Sequence, residues 1–146
     1  EERYPQGIRN GLGWPVNLPP TYPEALYDLL RELYYRYQSH GMKQLMITES
    51  GTCWNDQIGP DGKLHDEFRI FFLREHFKQI AKAILQGIPV KGYFLWTLMD
   101  NFEWELGHDP NSSFGIVHID RKNNLKRTPK ESFYWYKKLI ETRKIE

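Results

Sequence analysis

The stretch Leu45-Met46-Ile47-Thr48-Glu49-Ser50-Gly51 decides the fold class of this chain of 146 residues, because a short apolar run ends there on a carboxylate and a glycine. Short, nearly continuous apolar runs are typical of strands buried in a parallel sheet, so we expect a strand over Gln44–Thr48. A second run, Val90–Thr97, is rich in aromatic and β-favouring residues and predicts another strand of this kind.

Helical patterns precede and separate the two strands. Apolar and aromatic residues three or four positions apart follow Pro23, and they predict a helix that ends at Gly41. A longer pattern of the same period covers Asp66–Gln86, and Gly87 with Pro89 stops it. Each predicted strand therefore follows a predicted helix.

The remaining segments predict loops, one extended piece and a last helix. We expect a loop over Gly51–Gly62 and a short extended segment over Phe114–Ile119. Thr128, Pro129 and Glu131 have the spacing of a capping box with proline at the first helical position. That spacing predicts a last helix beginning directly after Thr128.

The order helix, strand, helix, strand, helix predicts an α/β fold made of parallel βα units. Two parallel strands cannot bury both faces of a sheet by themselves, and a closed (β/α)₈ TIM barrel typically needs about 250 residues. We therefore expect residues 1–146 to form the C-terminal part of a single barrel domain, with no separate domains within the chain.

Charge and cysteine content narrow the classes of partner. Lys and Arg number 20 against 19 Asp and Glu, which gives a net charge of +1, so we expect neither nucleic acid nor a membrane as partner. Residues 1–10 are polar and predict neither a signal peptide nor a membrane span. The single cysteine, Cys53, excludes a disulfide within the chain and favours a reducing, cytoplasmic location.

Carboxylates and indole rings gather at the predicted strand ends. Glu49 ends the first strand, while Trp96, Glu103 and Trp104 lie at and after the end of the second. Sugars offer C–H faces that stack on indole rings, and hydroxyl groups that bind carboxylate oxygens. Taken singly, Glu49 is also compatible with capping the following turn or with pairing with a cation, and each tryptophan alone is more often a packing residue. Together these residues favour a sugar-binding site.

Four stretches agree jointly with one known family. In chain order they are Ile47-Thr48-Glu49-Ser50-Gly51, the run from Gly92 to Trp104, Phe114-Gly115-Ile116-Val117, and Arg127-Thr128-Pro129-Lys130-Glu131-Ser132. In this order and spacing they resemble the C-terminal part of family 1 glycoside hydrolases, the β-glucosidase type. The resemblance implies strands 7 and 8 of a (β/α)₈ barrel, with their helices.

The resemblance also implies a role for each candidate residue. Glu49 matches the nucleophile of a retaining β-glycosidase, which hydrolyses a small β-glycoside through a covalent glycosyl-enzyme. Trp96 matches the indole that floors the sugar site, and Glu103 matches the carboxylate that binds the sugar O4 and O6 hydroxyls. Trp104 matches an indole that hydrogen-bonds near O3, and Phe114 a ring that lines the pocket.

One part of the family's machinery is absent from the sequence. A retaining enzyme needs a second carboxyl group about 5 to 5.5 Å from the nucleophile, and the family places it in an Asn-Glu-Pro motif that does not occur here. We therefore expect activity only with a partner, a complementary N-terminal chain of the same barrel. Two alternatives stay open: a non-catalytic sugar-binding or scaffolding fragment, and an independent small α/β domain.

We expect no cofactor and no metal, because no histidine has metal-ligand spacing with an acidic or cysteine partner. This holds for His40, His65, His108 and His118. We expect Glu67, Glu75 and His76 to lie on or near the long helix as solvated or paired side chains.

Overall fold

The structure is a computed structural model, and it describes residues 22–54, 56–104, 107–109 and 113–146. The polar segment 1–10 lies outside these residues. In chain order the elements are α1 Glu24–Tyr37, a short 3-10 helix Gln38–His40, β1 Leu45–Ser50, β2 Gln57–Ile58, β3 Leu64–His65, α2 Glu67–Leu85, β4 Val90–Leu95, β5 Val117–Asp120, β6 Lys126–Pro129 and α3 Glu131–Thr142.

The two predicted strands pair in parallel, which confirms the sequence prediction. Strand β1 lies beside β4, with Leu45 opposite Val90 and Ser50 opposite Leu95. The first strand ends two residues later than predicted, because the backbone N–H of Trp96 donates to the Ser50 carbonyl at 3.0 Å and extends the ladder. The carboxyl ends of both strands therefore meet at one edge of the sheet.

Only one face of this sheet is packed against helices. Its side chains join a core between α1 and α2, formed by Tyr27, Leu30, Ile80, Ala83 and Ile88 with Leu45, Ile47, Val90 and Tyr93 packed against it. On the opposite face the apolar side chains of Met46 and Phe94 are exposed. In a (β/α)₈ barrel, helices cover the outer face of the sheet and apolar side chains of the inner face pack inside the barrel. The two faces of this sheet match that arrangement, with the remaining strands missing.

Two short antiparallel hairpins were not predicted from the sequence, although the extended segment predicted over Phe114–Ile119 overlaps β5. Strand β2 pairs with β3 within the segment predicted as a loop, and β5 pairs with β6. Both pairings involve two to four residues per strand. Segments of this length are too short to show a two-residue period.

The predicted capping box at the last helix is wrong. Thr128 and Pro129 belong to β6, where Thr128 pairs with His118, and α3 begins only at Glu131. The ladder outcompetes the local cap because the Lys130 N–H extends it, donating to the Ile116 carbonyl at 3.0 Å. The cap comes instead from Asp66, whose carboxylate accepts from the Ser132 N–H at 2.9 Å.

The helix predictions are otherwise confirmed to within a residue or two. Helix α2 lies one residue inside each predicted boundary, with Asp66 and Gln86 as its flanking residues. Gly41 ends the first helical segment with a φ of 86°, in the left-handed region that glycine adopts without strain. Within the described part of the chain, none of the helices combines the length and apolar character needed to cross a bilayer.

Candidate active site

The candidate site is built where β1 and β4 end side by side. Gly51 follows β1, and a Cβ atom at this position would lie 1.6 Å from the carbonyl oxygen of Trp96. Only a glycine allows the two backbones to approach this closely. The Tyr93 hydroxyl also connects the two strands, by donating to the Ser50 carbonyl at 3.1 Å. Burial raises the pKa of this hydroxyl to about 12, so it remains a donor throughout the physiological pH range.

Glu49 breaks the alternation of buried and exposed residues along β1. Residues Leu45 to Thr48 alternate between partly buried and exposed, and strict alternation would place Glu49 on the helix-covered face, yet it is exposed. The register explains this, because between the pairs Ile47–Tyr93 and Ser50–Leu95 the first strand advances three residues and the second only two. Extra residues of this kind re-aim side chains at functional sites.

Glu49 shares one open groove with two other candidate residues, which we call the site groove. The residues that line it include Tyr22, Leu26, Leu30, Glu49, Trp96 and Phe114. Three of the five residues predicted from the sequence therefore border one groove, although they lie up to 65 residues apart in the chain.

Glu103 is linked to the site groove by a hydrogen bond with Trp96. The indole Nε1–H of Trp96 donates to Oε1 of Glu103 at 3.2 Å. A tight turn fixes Glu103, because its N–H and carbonyl both bond to the backbone of Gly107, at 2.8 and 2.7 Å. The peptide bond between Trp96 and Thr97 is cis. One carboxylate oxygen of Glu103 is thus held by the indole, and the other accepts no hydrogen bond from the residues that the structure describes.

Trp104 is the fifth predicted site residue, and the structure leaves it in solvent. It is 96% exposed and does not contribute to the site groove as the described residues form it. Its proposed contact with a sugar stays a prediction.

A buried network of charges joins the loops that follow β1 and β4, and it was not predicted from the sequence. Arg69 is almost fully buried and donates to both carboxylate oxygens of Asp56, at 3.0 and 3.2 Å, and to Asp66. Burial by itself would lower the pKa of Arg69, but the two carboxylates outweigh it and the pKa is raised. The same guanidinium donates to the backbone carbonyl oxygens of Thr52 and Ser113.

Lys130 extends this network to Asp100, in the loop that follows β4. Its Nζ donates to Asp56 and, at 2.8 Å, to Oδ1 of Asp100. Asp100 also accepts from the Gly115 N–H at 3.1 Å and lies 3.0 Å from Nδ1 of His118. The one available signal in the sequence was the i, i+3 spacing of Asp66 and Arg69 at the start of the long helix.

One group of described residues has the chemistry of metal ligands. Ligand atoms of His65, Glu67 and Glu131 lie within 4.8 Å of one another. Ion pairing accounts for their closeness, because Nδ1 of His65 lies 3.0 Å from Glu131 and Nε2 lies 3.0 Å from Asp61. Hydrogen bonds to Asp61 and Glu131 raise the pKa of His65, which favours the imidazolium between the carboxylates.

His76 lies on the long helix as predicted, but the predicted state of its side chain is wrong. Instead of being solvated or paired, it is buried in α2, and its Nδ1–H donates to the Phe72 carbonyl at 2.7 Å. Burial lowers its pKa, so the neutral form is favoured. Glu75 pairs with Lys78 at 2.7 Å and Glu67 is exposed, both as predicted.

Residues 9–145 match the model of glycosyl hydrolase family 1. The chain belongs to glycosyl hydrolase family 1. This family 1 chain is 41% identical over 133 residues to β-glucosidase A of Acetivibrio thermocellus, an alignment that covers 91% of this chain and 27% of that protein. It is 39% identical to the 1,4-β-D-glucan glucohydrolase of Thermotoga neapolitana, covering 91% of this chain and 28% of that protein.

Solved structures of the family superpose on nearly the whole chain. The family 1 β-glucosidase from Thermotoga maritima in complex with isofagomine lactam matches with a TM-score of 0.82 and 36% identity, over 98% of this chain and 30% of that one. The predicted fold, the C-terminal βα units of a (β/α)₈ barrel, is thereby confirmed. The chain spans less than a third of the length of these relatives.

Proposed function

We propose that this chain supplies the nucleophile half of a retaining β-glycosidase of the β-glucosidase type. The observation that carries the proposal is the position of Glu49, an exposed carboxylate beside the Trp96–Glu103 pair where two parallel strands end. In closed barrels the catalytic groups come from the carboxyl ends of the strands. The names of the curated relatives, which are β-glucosidases and a glucohydrolase, agree with this activity.

In this proposal Glu49 acts as the nucleophile. Its ionised carboxylate attacks C1 of the sugar, forms the C1–O bond of a glycosyl ester and displaces the aglycone oxygen. Water then hydrolyses the ester and releases Glu49 again. The break in strand alternation supports this role, because it leaves the Glu49 side chain exposed where strict alternation would have packed it against the helices.

Trp96, Glu103, Trp104 and Phe114 would bind the sugar. The indole of Trp96 offers a flat apolar face for the C–H groups of a pyranose, and its bond to Glu103 sets the orientation of both side chains. The second oxygen of Glu103 has the lone pairs to accept from two neighbouring hydroxyls. A carboxylate here also disfavours 6-phosphorylated glycosides, since it would repel the phosphate.

The remaining machinery would come from the complementary N-terminal part of the barrel. The uncovered sheet face with Met46 and Phe94 would pack inside the closed barrel, and strands 1 to 6 would supply the acid/base carboxyl group. Residues 1–146 would then belong to one barrel domain. No cofactor takes part in this chemistry.

Reassembly tests this proposal. We expect the chain, mixed with the complementary N-terminal barrel portion, to form a complex that releases p-nitrophenol from p-nitrophenyl β-glucoside. Neither part alone should do so, because the nucleophile and the acid/base lie on different parts. A complex verified by size-exclusion chromatography that binds glucose but shows no turnover would contradict the proposal and favour a non-catalytic sugar-binding fragment.

A further inference from the structure

We propose that Lys130 is a positioning residue for the candidate site, which fixes the loop after β1 relative to the loop after β4. The inference rests on the proposed function for its catalytic readout. Lys130 itself is distant in sequence from every candidate site residue, and none of the roles proposed above involves it.

One ammonium group binds both loops. Lys130 is 0% exposed, and its Nζ contacts Asp56 in the loop after β1 and Asp100 in the loop after β4. Asp56 follows Glu49 by seven residues, and Asp100 lies between Trp96 and Glu103. The ammonium thus connects the segment that carries the nucleophile with the segment that carries the sugar-binding pair.

Neither carboxylate is free to follow the lysine if it moves. Arg69 holds Asp56 through two hydrogen bonds, at 3.0 and 3.2 Å. The Gly115 N–H and the His118 ring hold Asp100, at 3.1 and 3.0 Å. Since both carboxylates are anchored elsewhere, the size of the cation between them sets their separation.

The charge balance explains why a cation occupies this place. The buried carboxylates of Asp56, Asp66 and Asp100 face two buried cations, Arg69 and Lys130. Without Lys130 two carboxylates would face each other with no cation between them, and like charges in a buried site repel strongly. The loops would then separate, and the segment from Asp100 to Glu103 would move relative to Glu49, which the Ser50–Trp96 hydrogen bond holds beside β4.

The test compares Lys130→Arg and Lys130→Met with the control Lys137→Met in the reassembled complex. Arginine keeps the charge but replaces a compact ammonium with a wider planar group, so it preserves the charge balance and changes the spacing. We expect Lys130→Arg to lower kcat by about 10-fold or more and to leave KM within about 2-fold, since displacements near 1 Å reduce turnover strongly. Lys137 lies on the exposed side of α3, and its variant should match the wild type.

A readout that needs no activity separates this inference from the proposed function. The indole N–H of Trp96 donates to Glu103, so its ¹⁵N–¹H resonance reports the geometry of the loop after β4. The Trp96→Phe variant, which lacks this resonance, assigns it. We expect this resonance to shift in both Lys130 variants and to stay unchanged in Lys137→Met. If the wild-type complex has no turnover, the proposed function fails, whereas the resonance still tests Lys130.

Three results would overturn the inference. The first is a folded Lys130→Arg with wild-type kcat, and the second is a Trp96 resonance that does not move in either variant. The third is failure of both variants to fold at low temperature, which would leave Lys130 a role in stability alone.

Discussion

Replacing Glu49 with glutamine is expected to reduce turnover of an aryl β-glucoside by the reassembled barrel at least about 10³-fold, the scale seen when a covalent nucleophile is removed. An amide has the size of the carboxylate but neither its negative charge nor its ability to form a glycosyl ester. Since the Trp96–Glu103 pair is untouched, the affinity for glucose should change little. Initial rates of p-nitrophenol release, with glucose binding measured by calorimetry, give both quantities.

Glu75→Gln is the matched control for this experiment. The Glu75→Gln variant carries the same kind of substitution on α2. There Glu75 pairs with Lys78 at the surface, and it does not line the site groove as the described residues define it. Its variant should retain wild-type rates. A Glu49→Gln complex that turns over within 10-fold of the wild type would remove Glu49 from the role of nucleophile.

Replacing Arg69 with methionine is expected to lower the free energy of unfolding by about 3 to 5 kcal/mol, the cost of removing one partner from a buried ion pair. Methionine fills part of the space, but it leaves Asp56 and Asp66 buried with a cation lost between them. The loop carbonyls of Thr52 and Ser113 also lose their donor. Urea-induced unfolding of wild type and variant under the same conditions measures the difference.

Arg36→Met is the control for the buried network. Arg36 forms a hydrogen-bonded ion pair with Glu32, but both side chains are exposed on α1, where solvent screens the interaction. We expect its unfolding midpoint to stay close to that of the wild type. Equal losses in the two variants would show that the Arg69 network contributes no more than a surface pair.

The parallel strands and long helices could be predicted because their signals are local. The apolar run before Glu49 and the helical period of α2 each lie within one segment, and packing of β1 and β4 on α1 and α2 follows from them. The cap of α3 was mispredicted for the opposite reason. Thr128 had the right neighbours for a capping box, but pairing with His118 placed it in a strand, and Asp66 capped the helix from 66 residues away.

The candidate site was partly predictable from the same logic. Parallel strands end at one edge, so Glu49 and Trp96 could be placed together from their positions in the sequence, and the structure lines one groove with both. The buried network could not be predicted, because periodicity does not say which charge pairs with which. Nothing local to Lys130 shows that it is buried between Asp56 and Asp100.

The most direct test of the central claim is mass spectrometry of the reassembled barrel after incubation with 2,4-dinitrophenyl 2-deoxy-2-fluoro-β-glucoside. Fluorine at C2 destabilises the oxocarbenium-like transition states of both steps, while the good leaving group keeps the first step the faster, so the glycosyl-enzyme accumulates. The account predicts a single fluoroglucosyl group on the peptide that contains Glu49. An active complex that forms no adduct, or that carries the adduct on another residue, would contradict it.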